Sequence, residues 1–167
     1  YLIQTKLRVL KTREQHRKKL SKDLTDISKT ILKSLDRFEE DKVLREAYKM
    51  LFANSKYFSE EAFSQILKLR SFIDITKLED ELLADTLTIA VLSCLLPVSY
   101  LKKVGDVRFK TKKELEKDVI TFTDVLPQKI MDIAEDVMNF EYSLKNNHEL
   151  ILSNAKNIGR VNELKIG

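Results

Sequence analysis

The chain has few of the residues that make turns, disulfides or metal sites. Its 167 residues include three glycines, two prolines, one cysteine and two histidines. So few glycines and prolines favour long helices over many short strands. The single cysteine excludes an internal disulfide and a cysteine-based zinc site. His16 and His148 lie far apart in sequence without a second ligand nearby. We therefore expect a mainly helical protein, a multi-helix bundle with no metal site.

The chain also lacks a long apolar run. The longest, residues 82–101, contains Asp85 and Pro97 and has an unbroken core of about ten residues, whereas a membrane-spanning helix needs about 20. We interpret this run as a buried core helix that Pro97 ends, and its cysteine, Cys94, as a buried and unreactive thiol. We expect a cytoplasmic protein with no membrane partner.

Positive charge is concentrated in two parts of the sequence, although the net charge is only +4. Residues 1–22 hold eight basic residues and one acid, and residues 102–117 hold seven basic residues and three acids. Residues 74–85, by contrast, hold five acids and one lysine. Such local charge is typical either of a surface that binds phosphates or of solvated helix faces.

Apolar spacing predicts several helices. Between residues 20 and 38 the apolar residues recur in alternating steps of three and four, which places them along one side of a helix. A similar stripe begins in residues 3–10, and residues 12–19, polar and basic, can continue that helix while exposed. Residues 44–52 predict a shorter helix that ends at Asn54 and Ser55.

Capping signals predict where further helices begin. Ser59, followed by two glutamates, is a favourable helix start. Thr76 to Glu79 and Thr111 to Glu114 each match a capping box, in which threonine and glutamate bond to each other's backbone amides. We expect the first box to open the apolar helix. The second should open a long helix that extends to Phe140 and that Pro127 kinks or restarts.

Residues 97–109 (PVSYLKKVGDVRF) are predicted to be an irregular segment with concentrated polar chemistry. Gly105 permits a left-handed turn, and Asp106 can bond to the turn amides. One interpretation is a capped loop between helices in which Asp106 pairs with Arg108. The other is a loop that presents its polar side chains to phosphate or to a neighbouring domain.

No catalytic motif is present in the chain. It has no glycine-rich phosphate loop, no HExxH sequence and no plausible Ser/His/Asp set. We therefore assign no catalytic residue. Near the C-terminal end, residues 150–152 (LIL) predict a short buried strand. Either the partners of this strand lie outside the chain, or the segment is helical.

The order of these features carries a family resemblance. An apolar helix precedes Ser99 and the run KKVGDVRF at 102–109, and a long helix with Ile130 and Asp136 follows. This order resembles the helical insertion of some amino-group DNA methyltransferases, which use S-adenosylmethionine to methylate adenine N6 or cytosine N4. Residues 56–61 (KYFSEE) are also similar to that insertion. Residues 2–8 are similar to the helix after the acidic cofactor-binding strand, and residues 150–158 to the next sheet strand.

The resemblance implies a division of the chain and a place for the cofactor. Residues 1–147 would be a helical subdomain, with residues 1–10 a candidate helix of the parent cofactor domain. Residues 148–167 would be a strand and loop of that domain, in which Asn154 contacts the cofactor at a position where Asp is commoner. The family's glycine-rich cofactor loop and its Pro-Pro-aromatic catalytic motif are absent. In the family's order they would lie before residue 1 and after residue 167. We expect an inactive fragment of a longer enzyme that does not bind S-adenosylmethionine tightly alone.

The predicted partners are double-stranded DNA and the remaining domains of the parent enzyme. The predicted nucleic-acid contacts are Ser99, Lys102, Lys103 and Arg108 in the loop, with a second line formed by Lys11, Arg13, Arg17 and Lys18. Gly105 and Asp106 are predicted to organise the loop. Two alternatives remain: a non-enzymatic helical module that binds nucleic acid or an acidic protein partner, and a structural spacer without a ligand.

Overall fold

The computed structural model describes residues 2–11, 14–52, 56–117 and 120–139. About 80% of the described part is helical, which confirms the mainly helical prediction. Its elements are α1 (Leu2–Lys11), α2 (Glu14–Ser34), a short 3-10 helix (Leu35–Arg37), α3 (Lys42–Phe52), α4 (Glu60–Glu79), α5 (Glu81–Val98), β1 (Leu101–Val104), β2 (Asp106–Phe109), α6 (Lys112–Lys117) and α7 (Phe122–Met138).

Four helices form the core. α2 packs along α7, and α5 packs against both α7 and α4. The periodic stripe of α2 is buried as predicted, at Leu20, Leu24 and Ile31, and Leu35 of the following 3-10 helix is buried with it. A polar contact reinforces the apolar ones, since the buried hydroxyl of Ser21 on α2 donates to the carbonyl of Ala134 on α7 at 2.9 Å. The hydrophobic stripes therefore converge on one core.

α5 is the central helix of this core, as its apolar sequence predicts. Among the described residues it is the one helix long and apolar enough to cross a membrane, and half of it is buried within the fold. It ends at Val98, directly after Pro97. The thiol of Cys94 is buried on α5, and this burial raises its pKa. Little of it is therefore the reactive thiolate at neutral pH.

α1 packs against the N-terminal half of α5. The guanidinium of Arg8 donates to the carboxylate of Asp85 at 2.7 Å and to that of Glu81 at 3.0 Å. Asp85 is buried, and so is Thr5 on α1. A buried carboxylate is costly unless it is paired, so this ion pair fixes the position of α1 on α5.

Ser59 caps α4 as predicted, but the predicted capping box at Thr76 is wrong. Ser59 accepts a bond from the amide of Ala62 at 3.1 Å. α4 continues past Thr76, whose hydroxyl donates to the carbonyl of Phe72 at 2.9 Å. The N-cap of α5 is Asp80, which accepts from the amide of Leu83 at 2.9 Å. A Thr-x-x-Glu pattern also fits a helix interior, and aspartate is a good N-cap.

The capping box at Thr111 is confirmed, but the long helix expected after it is wrong. Glu114 accepts from the amide of Thr111 at 2.9 Å, and its own amide donates to the threonine hydroxyl at 3.4 Å. α6 then ends at Lys117, and α7 begins after Thr121. The carboxylate of Asp124 accepts from the amide of Thr121 at 2.8 Å. The restart therefore precedes Pro127, which lies inside α7.

Some predictions fall on residues that the structure does not describe. These are the continuity of the first helix through residues 12 and 13, the helix end at residues 54 and 55, and the strand at residues 150–152 with Asn154.

Candidate nucleic-acid interface

The segment predicted to be an irregular loop is a two-stranded antiparallel hairpin. Strands β1 and β2 pair in the register Leu101 with Phe109, Lys102 with Arg108, Lys103 with Val107 and Val104 with Asp106. Gly105 lies at the turn with a φ of 78°, which confirms the left-handed turn predicted there. A glycine turn between valine-containing strands is a common hairpin pattern. The strands are only four residues long, which left too little alternation to identify them in the sequence.

The base of the hairpin is attached to the segment that precedes α4. The amide of Tyr100 donates to the carbonyl of Tyr57 at 2.7 Å, and the amide of Lys110 donates to the carbonyl of Tyr100 at the same distance. The ring of Phe109 stacks on that of Tyr57, with 5.5 Å between centroids. The tip of the hairpin is open to solvent, with Val104 60% and Val107 58% exposed.

Ser99 has a structural position rather than an accessible one. It is 2% exposed, and its hydroxyl donates to the carbonyl of Leu96 at 2.8 Å while accepting from the amide of Leu101 at 3.1 Å. It caps α5 and begins the hairpin. A buried hydroxyl with both bonds made does not present itself to DNA, so we remove Ser99 from the predicted contacts.

Two of the predicted cations share one carboxylate. Arg108 makes two parallel bonds of 2.9 Å to the oxygens of Glu114, and Lys102 donates to Glu114 at 3.1 Å. Lys102 and Arg108 are opposite each other in the register, so both reach α6 from the same face of the hairpin. Arg108 first, then the amide of Thr111 and the ammonium of Lys102, hold the pKa of Glu114 well below its usual range.

Glu114 is the residue that sequence reasoning missed at this site. Its capping role is evident from the Thr111 pattern, but its two cations are 6 and 12 residues away in sequence. Such spacings are not those of neighbours on one helix. The pairing of Lys102 with Arg108 across the hairpin and the turn from β2 into α6 together bring both cations to Glu114. The interpretation in which Asp106 pairs with Arg108 is therefore wrong.

Lys103 and Asp106 remain open to solvent. Both are exposed, and neither side chain bonds to another described residue. Lys103 is available to an anionic ligand without breaking an internal bond. Asp106 was predicted to organise the loop, but the structure gives its carboxylate no turn amide to bind; Gly105 and the strand pairing form the turn instead.

The basic residues near the N-terminus are partly neutralised by the acidic residues 74–85. Arg8 pairs with Glu81 and Asp85, and Lys19 lies 3.6 Å from Asp80. These contacts place the start of α2 near the N-terminal end of α5, while the hairpin follows the other end. The 18 residues of α5 span about 27 Å. The two basic regions are therefore separated by the length of a helix.

The predicted second contact line is described only in part. Lys18 is exposed and pairs with Glu14 at 2.7 Å, and Arg17 is half-buried. Arg13 and the side chain of Lys11 lie outside the described residues. Across that same described part, no group of three or more His, Cys, Asp or Glu side chains is placed to hold a metal ion.

No family model, curated protein or solved structure matches this chain.

Proposed function

We propose that this chain is a helical subdomain that supports the binding of double-stranded DNA in an S-adenosylmethionine-dependent amino-group DNA methyltransferase. The observation that carries the DNA contact is the exposed hairpin, which contains Lys102, Lys103 and Arg108 and is hydrogen-bonded at its base to Tyr57. The enzyme class rests on the sequence resemblance.

The hairpin has the form and charge of a phosphate-binding element. A two-stranded ribbon is narrow enough to enter the major groove of B-DNA. Lysine and arginine bind backbone phosphates and thereby fix the register of a protein on the duplex without reading its sequence. An amino-group methyltransferase must also extrude its target base, which costs a few kcal/mol in unstacking. Phosphate contacts beside that base would offset this cost.

The separation of the basic regions suggests how the duplex is oriented. A duplex that reached from the hairpin to the start of α2 would run along α5 for about 27 Å, or about eight base pairs. In this arrangement Lys18 and Arg17 form the second contact line, with Lys18 exchanging its exposed partner Glu14 for a phosphate, while Arg8 stays with the buried Asp85.

The test is the salt dependence of DNA affinity for the 167-residue chain. A fluorescent duplex is titrated at several salt concentrations with the parent chain and with the triple variant Lys102→Ala, Lys103→Ala and Arg108→Ala. Each lost phosphate contact should reduce the slope of log affinity against log salt by about 0.9, equally for all duplex sequences.

The matched control removes three exposed lysines from α2 and α3: Lys29→Ala, Lys33→Ala and Lys42→Ala. It changes the net charge equally but leaves the hairpin intact, so its slope should stay close to that of the parent chain. If both triple variants lowered the salt slope equally, the effect would come from the net charge of the chain, and the hairpin would be rejected as the DNA contact.

The cofactor belongs to the parent enzyme in this proposal. Calorimetry should find no micromolar binding of S-adenosylmethionine by the 167-residue chain. In the complete enzyme, Asn154→Ala should raise the dissociation constant for the cofactor more than it changes DNA affinity. If Asn154→Ala instead lowered the stability of the enzyme and left its cofactor affinity unchanged, we would conclude that Asn154 only caps a turn.

A second candidate, a helical module that binds a protein partner, is favoured by one observation. α3 exposes the large apolar side chains of Val43, Met50 and Leu51, each more than 70% accessible. Contiguous exposed apolar residues are typical of protein interfaces. An unchanged duplex affinity in the hairpin variant, together with a partner whose binding Met50→Ser abolishes, would select this function.

A further inference from the structure

A pocket lies where the C-terminal end of α5 meets the base of the hairpin. Its volume is about 320 Å³. The floor is apolar and is formed by Leu96, Pro97, Leu101 and Ile120. Leu96 and Ile120 are each 38% exposed, so a ligand could contact this floor directly. The volume is at the lower end of the range for small-molecule sites, which suits one nucleotide but not a duplex.

The rim of the pocket is basic. Lys102, Lys103 and Lys110 line it together with a single carboxylate, that of Glu114. Glu114 is already occupied by Lys102 and by Arg108. Lys110 donates to the carbonyl of Pro97 at 3.2 Å, which leaves its charge unpaired, and the ammonium of Lys103 has no described partner. Lys103 and Lys110 therefore both line the pocket without a counterion among the described residues.

We propose that this pocket binds a nucleoside phosphate, with the phosphate between Lys103 and Lys110 and the sugar and base against Leu96, Leu101 and Ile120. Lysine binds phosphate as a compact charge with rotatable donors, so two flexible lysines can converge on one group. We take the nucleotide to be part of a DNA strand held by the hairpin, and this part of the assignment rests on the proposed function. The same chemistry would also accept a free nucleotide.

The experiment follows the methyl and amide NMR signals of the 167-residue chain during two titrations. One ligand is deoxyadenosine monophosphate, and the other is a 12-base-pair duplex. Saturable shifts of the methyl groups of Leu96, Leu101 and Ile120 are expected with both. The double variant Lys103→Ala and Lys110→Ala should weaken nucleotide binding about tenfold or more, because it removes hydrogen bonds to a charged group.

Two further variants control the interpretation. Lys113→Ala with Lys117→Ala removes two exposed lysines of α6 that do not line the pocket, and should leave nucleotide affinity nearly unchanged. Lys103→Ala alone breaks no bond to another described residue, so we attribute its effect on binding to the lost charge and not to a displaced hairpin. It should reproduce part of the loss.

The outcomes separate this inference from the proposed function. If the nucleotide leaves these methyl signals unshifted, or if both double variants weaken it equally, the pocket assignment is overturned while salt-dependent duplex binding stands. If the nucleotide binds and the duplex does not, the pocket is supported as a site for free nucleotides and the proposed function is rejected.

Discussion

Side chains of the helical core are almost fully removed from water, whereas those of the hairpin are mostly solvated. Leu24, Leu87, Leu126 and Ile130 have no measurable exposure. The hairpin and α6 contain no fully buried residue and are held together by the carboxylate of Glu114 and by strand pairing. Burial of apolar surface dominates folding free energy, while exposed ion pairs contribute little. Most of the stability therefore resides in the helical core, whereas most cations of the proposed binding surface lie on the hairpin.

This division predicts that most changes to one region leave the other intact. Core substitutions should reduce the free energy of unfolding whatever their effect on ligands. Hairpin substitutions should alter local order and binding while the core unfolds at nearly the same denaturant concentration. The core also satisfies its own polar groups, since every buried side-chain nitrogen or oxygen in the described residues has a hydrogen-bond partner.

The largest effect is expected from truncation in the core. Leu126→Ala on α7 should lower the free energy of unfolding by about 2–5 kcal/mol, because it removes buried surface and leaves a cavity. Urea unfolding followed by circular dichroism measures the change. Leu78→Ala on α4 is the matched control, since Leu78 is 88% exposed and should change stability by less than about 0.5 kcal/mol. Similar losses in both variants would contradict the assignment of the core.

A smaller effect is expected at the ion pair between α1 and α5. Asp85→Ala should cost about 2 kcal/mol, because it removes the buried partner of Arg8 and leaves that guanidinium with Glu81. Glu81→Ala removes the exposed partner and should cost about 0.5 kcal/mol. The same urea measurement compares the two. If Glu81→Ala lowered the free energy of unfolding more than Asp85→Ala, the buried ion pair would not be what holds α1 on α5.

The turn of the hairpin offers a local test. Gly105→Ala places a side chain at a φ of 78°, which costs about 1 kcal/mol for a residue other than glycine even though the space around it is open. Hydrogen exchange of the β1 and β2 amides should become faster, while core amides keep their rates. Asp106→Ala should leave the same rates unchanged, because in the described part of the chain the Asp106 carboxylate bonds to no side chain or turn amide. Faster exchange in that variant would restore Asp106 as an organiser of the turn.

The smallest effect on overall stability is expected from Glu114→Gln. The variant should loosen β1, β2 and α6, seen as faster hydrogen exchange there, with unfolding of the core unchanged. Glu116→Gln, an exposed neighbour on α6, is the control and should leave both the hydrogen exchange of these elements and the unfolding of the core unchanged. If the amides of β1, β2 and α6 exchange at the same rates in both variants, the bonds from Lys102 and Arg108 to Glu114 do not stabilise the hairpin.

The pH dependence of the hairpin follows from the lowered pKa of Glu114. A carboxyl group whose pKa is lower in the folded state contributes its full stabilisation above its unfolded value, about 4.3, and loses it as pH falls through the folded value. At pH 4, therefore, ordinary exposed glutamates should be largely protonated while Glu114 stays ionised and the hairpin ordered. An NMR titration of side-chain carboxyl carbons would show this, and a Glu114 midpoint near 4.3 would contradict it.

Sequence patterns predicted the core better than the hairpin. The stripe of Leu20, Leu24 and Ile31 repeats over several turns, so its period identifies both a helix and its buried side. Four-residue strands offer two alternations at most, and the charged residues of β1 and β2 obscured even those. The capping box at Thr111 was identified correctly. The similar pattern at Thr76 was not a cap, because α4 continues through Thr76 and the next helix begins only after Asp80.

The sequence by itself determined the helical class, the central place of the apolar helix α5, and the exclusion of an internal disulfide. The spacing of apolar residues shows which segments form helices with a buried side, and a single cysteine cannot form a disulfide within the chain. Only the tertiary structure decided which charges are available to a partner. Arg8 meets Asp85 across 77 positions, and Lys102 meets Glu114 across the hairpin and the start of α6. Coulomb attraction depends on separation in space and is screened within about 10 Å in salt solution, so counts of basic residues along the chain do not reveal which of them remain unpaired.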